Sequence, residues 1–348
     1  MKRLVLHIGT HKTATTTVQD TFANNAALLR RHGLIYPRLS RFTGHHGLVT
    51  DWNRLPDQFH PPGGSRALWR GLASDFGQDG ATVLVSSEEL SRAHADHRVD
   101  FREVRDLVSG FDRVEVVCLL REQWQFMQSI YLELAKKIMP PRPYKLVKDA
   151  LARNMCAGLW VDYNGLYDHL LTAFAPDEIT FIDFDIARRA EGGVIGTLLR
   201  HLDIALDPAE LKPVNNGASN VSPPALPAWA ANIAAEPRVA PSWLIGAMAS
   251  AFQTVFGADA RSCLFTRAEM DLIRDHFAPL NARFVERVGM VQKGFGLSRT
   301  PPDREFVFRD MVKEKFWTTA TRCTFAAAHD RMRDAAVHDK RSTTVGPS

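Results

Sequence analysis

The fold is decided by the stretch Leu4-Val5-Leu6-His7-Ile8-Gly9-Thr10-His11-Lys12-Thr13-Ala14-Thr15-Thr16-Thr17 near the start of the chain. Its first five residues form an apolar run with the length and β-branched content of a buried strand. A turn that starts with glycine and holds one lysine follows, and a segment with helical spacing then continues to about His32. A strand, a short loop and a helix in this order predict the first βα unit of a parallel sheet.

The alternation of short β-rich runs and helical segments continues to about Asp185. Further strands are predicted at Leu34–Tyr36, Thr82–Val85, Val114–Leu120 and Ile179–Ile182, and further helices at Phe101–Ser109, Trp124–Lys137 and Tyr163–Phe174. This order predicts an α/β fold with a central parallel sheet between layers of helices. Loops follow the strands at residues 9–14, 86–87 and 121–123, and ligands of open parallel sheets bind at such carboxyl ends.

Beyond the alternating part, a loop is predicted at residues 213–227, and helices are predicted at Gly193–Leu202, Trp243–Phe256, Arg267–His276 and Ala282–Val288. Residues 1–225 are predicted to form the α/β core, 226–335 a helical C-terminal annex packed on that core, and 336–348 a disordered tail of small and polar residues. Residues 38–64 are rich in Pro, Gly and His without a sustained period, and a segment of that length is more often a functional loop than a linker.

Length and composition limit the classes of protein. The chain has 348 residues, 45% of them hydrophobic, which is enough for a sizeable globular core. Its net charge of +4 is too small to predict a nucleic-acid partner. The four cysteines lie far apart, so neither disulfides nor a structural zinc is expected. Because no apolar run reaches the roughly 18 residues of a membrane span, and the N-terminal one is too short for a signal peptide, we interpret the chain as cytoplasmic. The oligomeric state stays open.

The loop after the first strand carries the strongest functional signal. A helix N-terminus offers unpaired N–H groups and the positive end of the helix dipole, and Lys12 adds a cation, so an oxyanion is expected to sit on residues 13–16. The loop is not a Walker A motif, which has a second glycine before its lysine. The alternative is that Thr15–Thr17 only cap the helix and Lys12 is solvated. Three consecutive threonines are poor helix formers, which favours the binding interpretation.

A second anion contact is predicted at the end of the Val114–Leu120 strand. Arg121 follows this strand, and Ser129 lies eight residues later on the next predicted helix. Arginine presents a planar fork to two phosphate oxygens, and a serine outside the apolar stripe of its helix can donate a further hydrogen bond. The alternative is an exposed strand-end cation and a neutral helix serine.

In these residues the chain resembles the sulfotransferases that use 3′-phosphoadenosine 5′-phosphosulfate (PAPS), in particular the bacterial, carbohydrate-sulfating members. The segment 12–16, Lys-Thr-Ala-Thr-Thr, matches their phosphosulfate loop K-[ST]-G-T-T except at Ala14, and Arg121 and Ser129 match the pair that recognises the 3′-phosphate. The resemblance implies a P-loop-NTPase-like three-layer fold and PAPS as co-substrate without a metal. The implied binding residues are Gly9, His11, Lys12, Thr13, Ala14, Thr15, Thr16, Arg121 and Ser129.

The implied reaction moves a sulfuryl group in line to a hydroxyl or amine of a saccharide or other small molecule. It needs a base for the acceptor and a cation at the leaving oxygen, for which Lys12 is predicted. In the segment Ser86-Ser87-Glu88-Glu89 a capping box is predicted to engage Ser86 with Glu89, which leaves Glu88 as the first candidate base. His46, in the pair His45-His46 of the 38–64 loop, is the second candidate. Alternatively, both glutamates only favour a helix start.

Two other functions stay open on the sequence. A small-molecule or nucleoside kinase would need Mg²⁺, for which Asp183 and Asp185 are the weak candidates. A noncatalytic binder of nucleotides or sulfated glycans would keep Lys12, Arg121 and Ser129 and dispense with Glu88. The loop Asn215-Asn216-Gly217-Ala218-Ser219-Asn220 lies where relatives cover the nucleotide, although such clusters are usually plain turns.

Overall fold

The computed structural model describes residues 1–214, 223–298 and 306–342, with side chains up to residue 334. The strands are β1 (Arg3–His7), β2 (Leu34–Ile35), β3 (Thr82–Ser86), β4 (Arg113–Leu120), β5 (Met155–Cys156), β6 (Leu159–Trp160), β7 (Ile179–Asp183), β8 (Arg261–Cys263) and β9 (Phe306–Phe308). The helices are α1 (Thr15–Asn24), α2 (Ala26–Arg31), α3 (Gly64–Phe76), α4 (Phe101–Leu107), α5 (Gln123–Leu134), α6 (Pro143–Arg153), α7 (Tyr163–Leu170), α8 (Phe184–Ala187), α9 (Gly193–His201), α10 (Ala225–Ala235), α11 (Ser242–Phe256), α12 (Arg267–Gly289) and α13 (Glu314–Ser342).

The central sheet is parallel throughout and has the order β2-β3-β1-β4-β7. The chain leaves β1 toward the β2–β3 side, and it leaves β4 toward β7 on the opposite side. Neighbouring strands whose connections diverge in this way define the switch point at which open α/β sheets bind their ligands. The carboxyl ends of β1 and β4 are therefore the place in the sheet where a ligand site is expected.

Helices cover both faces of the sheet, which confirms the predicted α/β fold with its helical layers. On one face α1, α2 and α9 pack over buried residues such as Val5, Leu84 and Val117. On the other, α3, α4 and α7 pack over Leu6, Val85 and other residues of the same strands. Both faces of each central strand are buried, which explains why these strands read as continuous apolar runs rather than as alternating ones.

Contacts divide the chain into two compact units. The first comprises residues 1–127, 149–214 and 274–298 of the described chain, and it holds the central sheet. The second comprises residues 128–148, 222–273 and 300–348 as far as they are described, and its core includes Leu226, Met248 and Phe316 from α10, α11 and α13. The C-terminal part is thus rich in helices, as predicted, and a boundary near residue 225 stays a prediction.

Several predicted elements need correction. The helix predicted from Thr15 to about His32 is two helices, because Asn25 leaves helical geometry and its side-chain amide donates to the Thr21 carbonyl. Residues 213–227 were expected as a loop, but α10 begins at Ala225 and tolerates Pro227 in its first turn. The two helices expected within 267–288 are one helix, α12, which continues through Pro279.

The C-terminal part differs from the prediction in two further ways. The strands β8 and β9 pair in parallel there, although only helices were expected. Helix α13 continues to Ser342, into the stretch predicted as a disordered tail. Among the described residues, no helix has both the length and the apolar character needed to cross a bilayer.

Candidate functional site

The loop between β1 and α1 has an unusual backbone. Lys12 and Ala14 have positive φ angles of 67° and 61°, whereas Thr13 between them does not. Alternation between left- and right-handed conformations turns successive N–H groups toward one side and forms an anion-binding concavity. Neither residue is a glycine, so this backbone costs conformational energy that the surrounding structure must supply.

The N-terminus of α1 is open to an anion. Ala14 precedes the helix and provides no side-chain cap, and the first turn contains no acidic residue. The N–H groups of the first turn therefore keep their hydrogen-bonding capacity and the positive end of the helix dipole is not neutralised. Thr15 adds a buried hydroxyl that has no hydrogen-bond partner among the described residues.

Replacing Ala14 by glycine is expected to stabilise the protein. Glycine adopts positive φ without the penalty that the methyl group of alanine carries, and we expect a net gain of about 1 kcal/mol in the free energy of unfolding after the entropy of the unfolded chain is counted. Urea unfolding of both proteins would measure the difference. The matched control is Ala23→Gly in α1, which should lower the stability by about 0.5–1 kcal/mol. A lower free energy of unfolding in Ala14→Gly would show that the positive φ angle at Ala14 does not strain the backbone.

Hydrogen bonds tie this loop to the end of β4. The backbone N–H and the hydroxyl of Thr10 both donate to the carbonyl of Leu119, at 3.2 and 3.0 Å. The hydroxyl of Thr13 donates in turn to the Thr10 carbonyl at 2.6 Å. Gly9 leaves room for this packing, since a β-carbon there would lie 3.1 Å from the hydroxyl oxygen of Thr15. Leu119 is two residues before Arg121. The loop that holds Lys12 and the end of the strand that leads to Arg121 are therefore hydrogen-bonded to each other at the edge of the sheet.

Arg121 is held at the end of β4 by several groups of the first unit. Its Nε donates to Oε1 of Gln125 at 3.1 Å, and its guanidinium lies 5.5 Å from the ring centroid of Phe184. Burial lowers the pKa of Arg121, and the negative charge of Asp185 opposes this effect. Asp185 also forms an ion pair of 2.8 Å with Arg188.

Ser129, the second residue predicted for the 3′-phosphate, lies on α5 with a buried side chain. It falls in the second unit, whereas Arg121 falls in the first. Its role with Arg121 stays a prediction. The loop Asn215–Asn220 lies outside the described residues.

The segment after β3 holds two glutamates with different surroundings. Glu89 accepts hydrogen bonds from Nε of Arg92 at 2.7 Å and from Nδ2 of Asn53 at 2.8 Å, and Nε2 of His11 lies 3.3 Å from it. Burial alone would raise the pKa of Glu89, but the bonds from His11 and Arg92 outweigh it and hold this pKa well below the usual range. Glu89 is therefore a fixed anion that binds three neighbours.

The predicted capping box between Ser86 and Glu89 is not formed. Ser86 is the last residue of β3, and its hydroxyl lies 2.8 Å from Nδ1 of His7. The segment Glu88–Ser91 is a 3₁₀ turn that begins after Ser87 and has no side-chain cap. Glu88 lies outside the Glu89 cluster, and its carboxylate accepts a hydrogen bond of 3.0 Å from Gln19.

The two histidines of the 38–64 loop have different roles. His45 is buried, accepts a hydrogen bond from the Ser86 N–H through Nδ1 at 2.8 Å, and donates through Nε2 to the Pro37 carbonyl at 2.7 Å. With both nitrogens engaged it is a structural residue. His46 is half-buried, and its Nδ1 lies 3.0 Å from the hydroxyl of Ser87, next to Glu88. The structure thus brings both candidate bases, Glu88 and His46, to the end of β3.

The 38–64 loop is bound to the core along its length. Besides the side-chain bond, the N–H of His45 donates to the Ser86 carbonyl at 2.8 Å. The hydroxyl of Tyr36 donates to the Thr43 carbonyl at 2.7 Å, and Nε1 of Trp69 donates to the Leu48 carbonyl at 2.7 Å. The half-buried rings of Phe42 and Phe59 pack together with centroids 4.6 Å apart, and Phe59 also contacts His46 edge to face.

Buried histidines make the stability of the protein sensitive to acid. Burial lowers the pKa of His7, His45 and His169 from 6.5 to about 4. Between these values the unfolded chain binds more protons than the folded one, so the free energy of unfolding is expected to fall as the pH drops from about 6.5 to about 4. Each fully unprotonated histidine contributes about 1.4 kcal/mol per pH unit to this slope.

Urea unfolding at a series of pH values would measure the slope. The slope should be smaller in His45→Asn than in the original protein, and unchanged in His94→Asn, where the side chain is exposed. Equal stability at pH 7 and pH 5 would show that these histidines are not held in their neutral form.

The candidate magnesium ligands of the kinase alternative are engaged elsewhere. Oδ1 of Asp183 accepts from the Ile186 N–H at 2.8 Å and from the Ser298 hydroxyl at 2.9 Å, and Oδ2 accepts from the Ser298 N–H at 2.6 Å. Asp185 pairs with Arg188 as described. Among the described residues, no group of three or more His, Cys, Asp or Glu side chains is placed to hold a metal ion.

Two residues at this site, Gln19 and His7, were not found from the sequence. Gln19 lies four residues after Thr15, so the helical period places it on the same face as the threonine at the anion site. That spacing was a usable signal. The burial of His7 follows from its place in an apolar strand, but the unpartnered Nε2 that it carries could be seen only in the structure.

No family model and no curated protein matches this chain. Among solved structures, the chain is similar to the crystal structure of a sulfotransferase from Alicyclobacillus acidocaldarius, with 14% sequence identity and a TM-score of 0.45. The alignment covers 85% of this chain and 98% of that one. The α/β fold itself rests on the strand order and the helical layers described above.

Proposed function

We propose that the protein is a PAPS-dependent sulfotransferase that transfers a sulfuryl group to a hydroxyl or amine of a saccharide or other small molecule. The observation that carries the proposal is the anion site at α1: an uncapped helix start behind a loop with positive φ at Lys12 and Ala14. Hydrogen bonds from Thr10 join this loop to the strand that ends at Arg121. The resemblance of the same residues to the PAPS-dependent sulfotransferases supports the 5′-phosphosulfate of PAPS as the anion.

In this proposal the donor is held at two points. Its 5′-phosphosulfate binds the N–H groups and hydroxyls of residues 13–16, with Gly9, His11 and Lys12 beside them. Its 3′-phosphate binds Arg121. The guanidinium fork of Arg121 can bind two oxygens of one phosphate, which would distinguish PAPS from nucleotides that lack the 3′-phosphate.

The transfer is an in-line displacement at sulfur. The acceptor oxygen or nitrogen forms a bond to sulfur while the bond between sulfur and the bridging phosphate oxygen breaks. The proton of the acceptor passes to Glu88 or His46, and the ammonium of Lys12 stabilises the negative charge on the leaving oxygen. Lys12 and Glu88 follow β1 and β3 directly, and His46 of the 38–64 loop lies against Ser87 at the end of β3.

The acceptor is proposed to bind against the 38–64 loop. The rings of Phe42 and Phe59 present an apolar surface beside His46 that suits the nonpolar face of a sugar or of another small hydroxyl compound. The four cysteines are free, which fits the proposed cytoplasmic location.

Calorimetry and a transfer assay test the proposal. Titration with adenosine 3′,5′-bisphosphate should give tighter binding than ATP with Mg²⁺, and radiolabelled PAPS should transfer its sulfate to an acceptor in a host extract, with the product identified by mass spectrometry. Preference for ATP with Mg²⁺ would indicate a kinase. Tight bisphosphate binding without transfer to any acceptor would indicate a noncatalytic binder of nucleotides or sulfated glycans.

A further inference from the structure

The side chain of Gln19 lies where three segments of the first unit meet. It is buried, with 3% of its surface exposed, on the helix whose N-terminus forms the anion site. Its Nε2 donates to Oε2 of Glu88 at 3.0 Å and lies 3.4 Å from both the carbonyl oxygen and the hydroxyl of Ser86. The amide therefore joins α1 to the segment after β3.

The other end of the same amide faces the 38–64 loop. A β-carbon at Gly44 would lie 2.6 Å from Oε1 of Gln19 and 2.7 Å from Nε2 of His46. A larger residue at this position would displace the Gln19 amide or the His46 ring. Gln19 consequently lies beside both candidate bases and bonds directly to one of them.

An ionised carboxylate only accepts hydrogen bonds, so the amide must present Nε2 to Glu88. The bond fixes one carboxylate oxygen, Oε2. No described residue donates a hydrogen bond to the other oxygen, Oε1, and this oxygen keeps its lone pairs for a proton. A donor to the charged form of an acid also favours that form, which a base requires.

We propose that Gln19 is a positioning residue that holds the carboxylate of Glu88 in place relative to the proposed anion site of α1. This inference rests on the proposed function, because it assigns Glu88 the role of base. Thr15 and Gln19 belong to one helix, α1. A movement of this helix would therefore displace the proposed donor site and the proposed base together.

Other titratable groups lie near Glu88, and the next residue, Glu89, is the fixed anion described above. The charge of Glu88 acts on the buried rings of His7 and Tyr36. His7 is neutral at pH 7 because burial lowers its pKa to about 4, and Tyr36 is neutral because burial raises its pKa well above 10.0. Asp20 lies close enough to act on Tyr36 as well, and His46 adjoins Glu88 through Ser87.

Gln19→Met tests the proposal, since methionine keeps the length of the side chain and removes the hydrogen bond. With PAPS and an acceptor, kcat is expected to fall by about 100-fold, the cost of a small misplacement of a reacting group. The affinity for adenosine 3′,5′-bisphosphate should not change. The acidic limb of the pH profile should move to higher pH, because Glu88 loses a donor to its charged form, and it should move further in Gln19→Glu, where a second carboxylate faces it.

Asn25→Ala is the matched control. Asn25 is a buried amide just past the far end of α1, where it donates to the carbonyls of Thr21 and Lys212 at 2.8 and 3.0 Å. Its loss should lower stability and leave the pH profile in place. If Gln19→Met left the acidic limb where it is, or moved it only as much as Asn25→Ala does, the positioning role would be overturned.

A measurement without turnover separates this inference from the proposed function. The carboxyl carbon of Glu88, assigned in the NMR spectrum by its loss in Glu88→Gln, should titrate at higher pH in Gln19→Met than in the original protein. That shift in an enzyme that transfers no sulfate would refute the sulfotransferase proposal and support the contact. If the titration of the Glu88 carboxyl carbon were the same in Gln19→Met and in an original protein that transfers sulfate, the contact would be refuted and the proposed function would stand.

Discussion

Lys12→Met is expected to lower kcat for sulfuryl transfer by about 10²–10³-fold, the cost of removing a charge that stabilises a leaving oxyanion. Lys12 lies in the loop between β1 and α1, where the positive φ angles at residues 12 and 14 shape the proposed anion site. A steady-state assay with labelled PAPS would measure the effect. The affinity for the donor should weaken as well, because the same cation attracts the phosphosulfate in the ground state.

Lys145→Met is the control for Lys12→Met. Lys145 is an exposed lysine on α6, so its loss removes one positive charge from the protein without touching the sheet edge. Its kcat should equal that of the original enzyme. Full activity in Lys12→Met would show that Lys12 has no part in the chemistry, whereas retained kcat with weak donor binding would assign it to binding alone.

Glu88→Gln is expected to lower kcat by about 10²–10⁴-fold, the contribution of a positioned general base. Glutamine keeps the shape of the side chain and can still accept the hydrogen bond from Gln19 through its amide oxygen, so the fold should be preserved. The acidic limb of the pH profile should also disappear, because the group that titrates there has been removed. Rates at saturating PAPS over a range of pH would show both effects.

His46→Asn distinguishes the two candidate bases. Because the Nδ1 atom of His46 lies against the Ser87 hydroxyl, this substitution is expected to lower kcat less than Glu88→Gln does. Glu133→Gln controls for the loss of a carboxylate elsewhere, since Glu133 is half-buried on α5 and pairs with Lys136. A larger loss in His46→Asn, together with retained activity in Glu88→Gln, would assign the base to His46.

Much of the fold could be predicted from the sequence because its signals are local. The apolar runs at β1, β3, β4 and β7 are short and bounded by turns, and the helical segments between them leave a parallel sheet as the consistent arrangement. The loop between β1 and α1 could be located for the same reason: the strand, the lysine and the threonines of a helix start are consecutive in the chain, and its role in binding an anion stays a proposal.

The finer features depend on contacts that sequence spacing does not encode. Ser86 was predicted to cap a helix with Glu89, but its actual partner is His7, a residue far away in the chain on the neighbouring strand. His45 and His46 are indistinguishable by composition, and only the hydrogen bonds of both nitrogens of His45 show that it is structural. The path of α12 through Pro279 likewise depends on packing that outweighs a local preference.

The bonds that tie residues 38–64 to the core also bear on how acceptors are chosen. His45 is joined to Ser86 in both directions, and Tyr36 and Trp69 fasten the backbone on either side of it. If acceptors bind this loop as proposed, a loop anchored in this way would bind molecules that fit its existing shape, because its backbone is fixed. We therefore expect the protein to accept few different molecules. Broadening this range by directed evolution should require changes to the exposed side chains of the 38–64 loop rather than to the hydrogen bonds that attach it to the core.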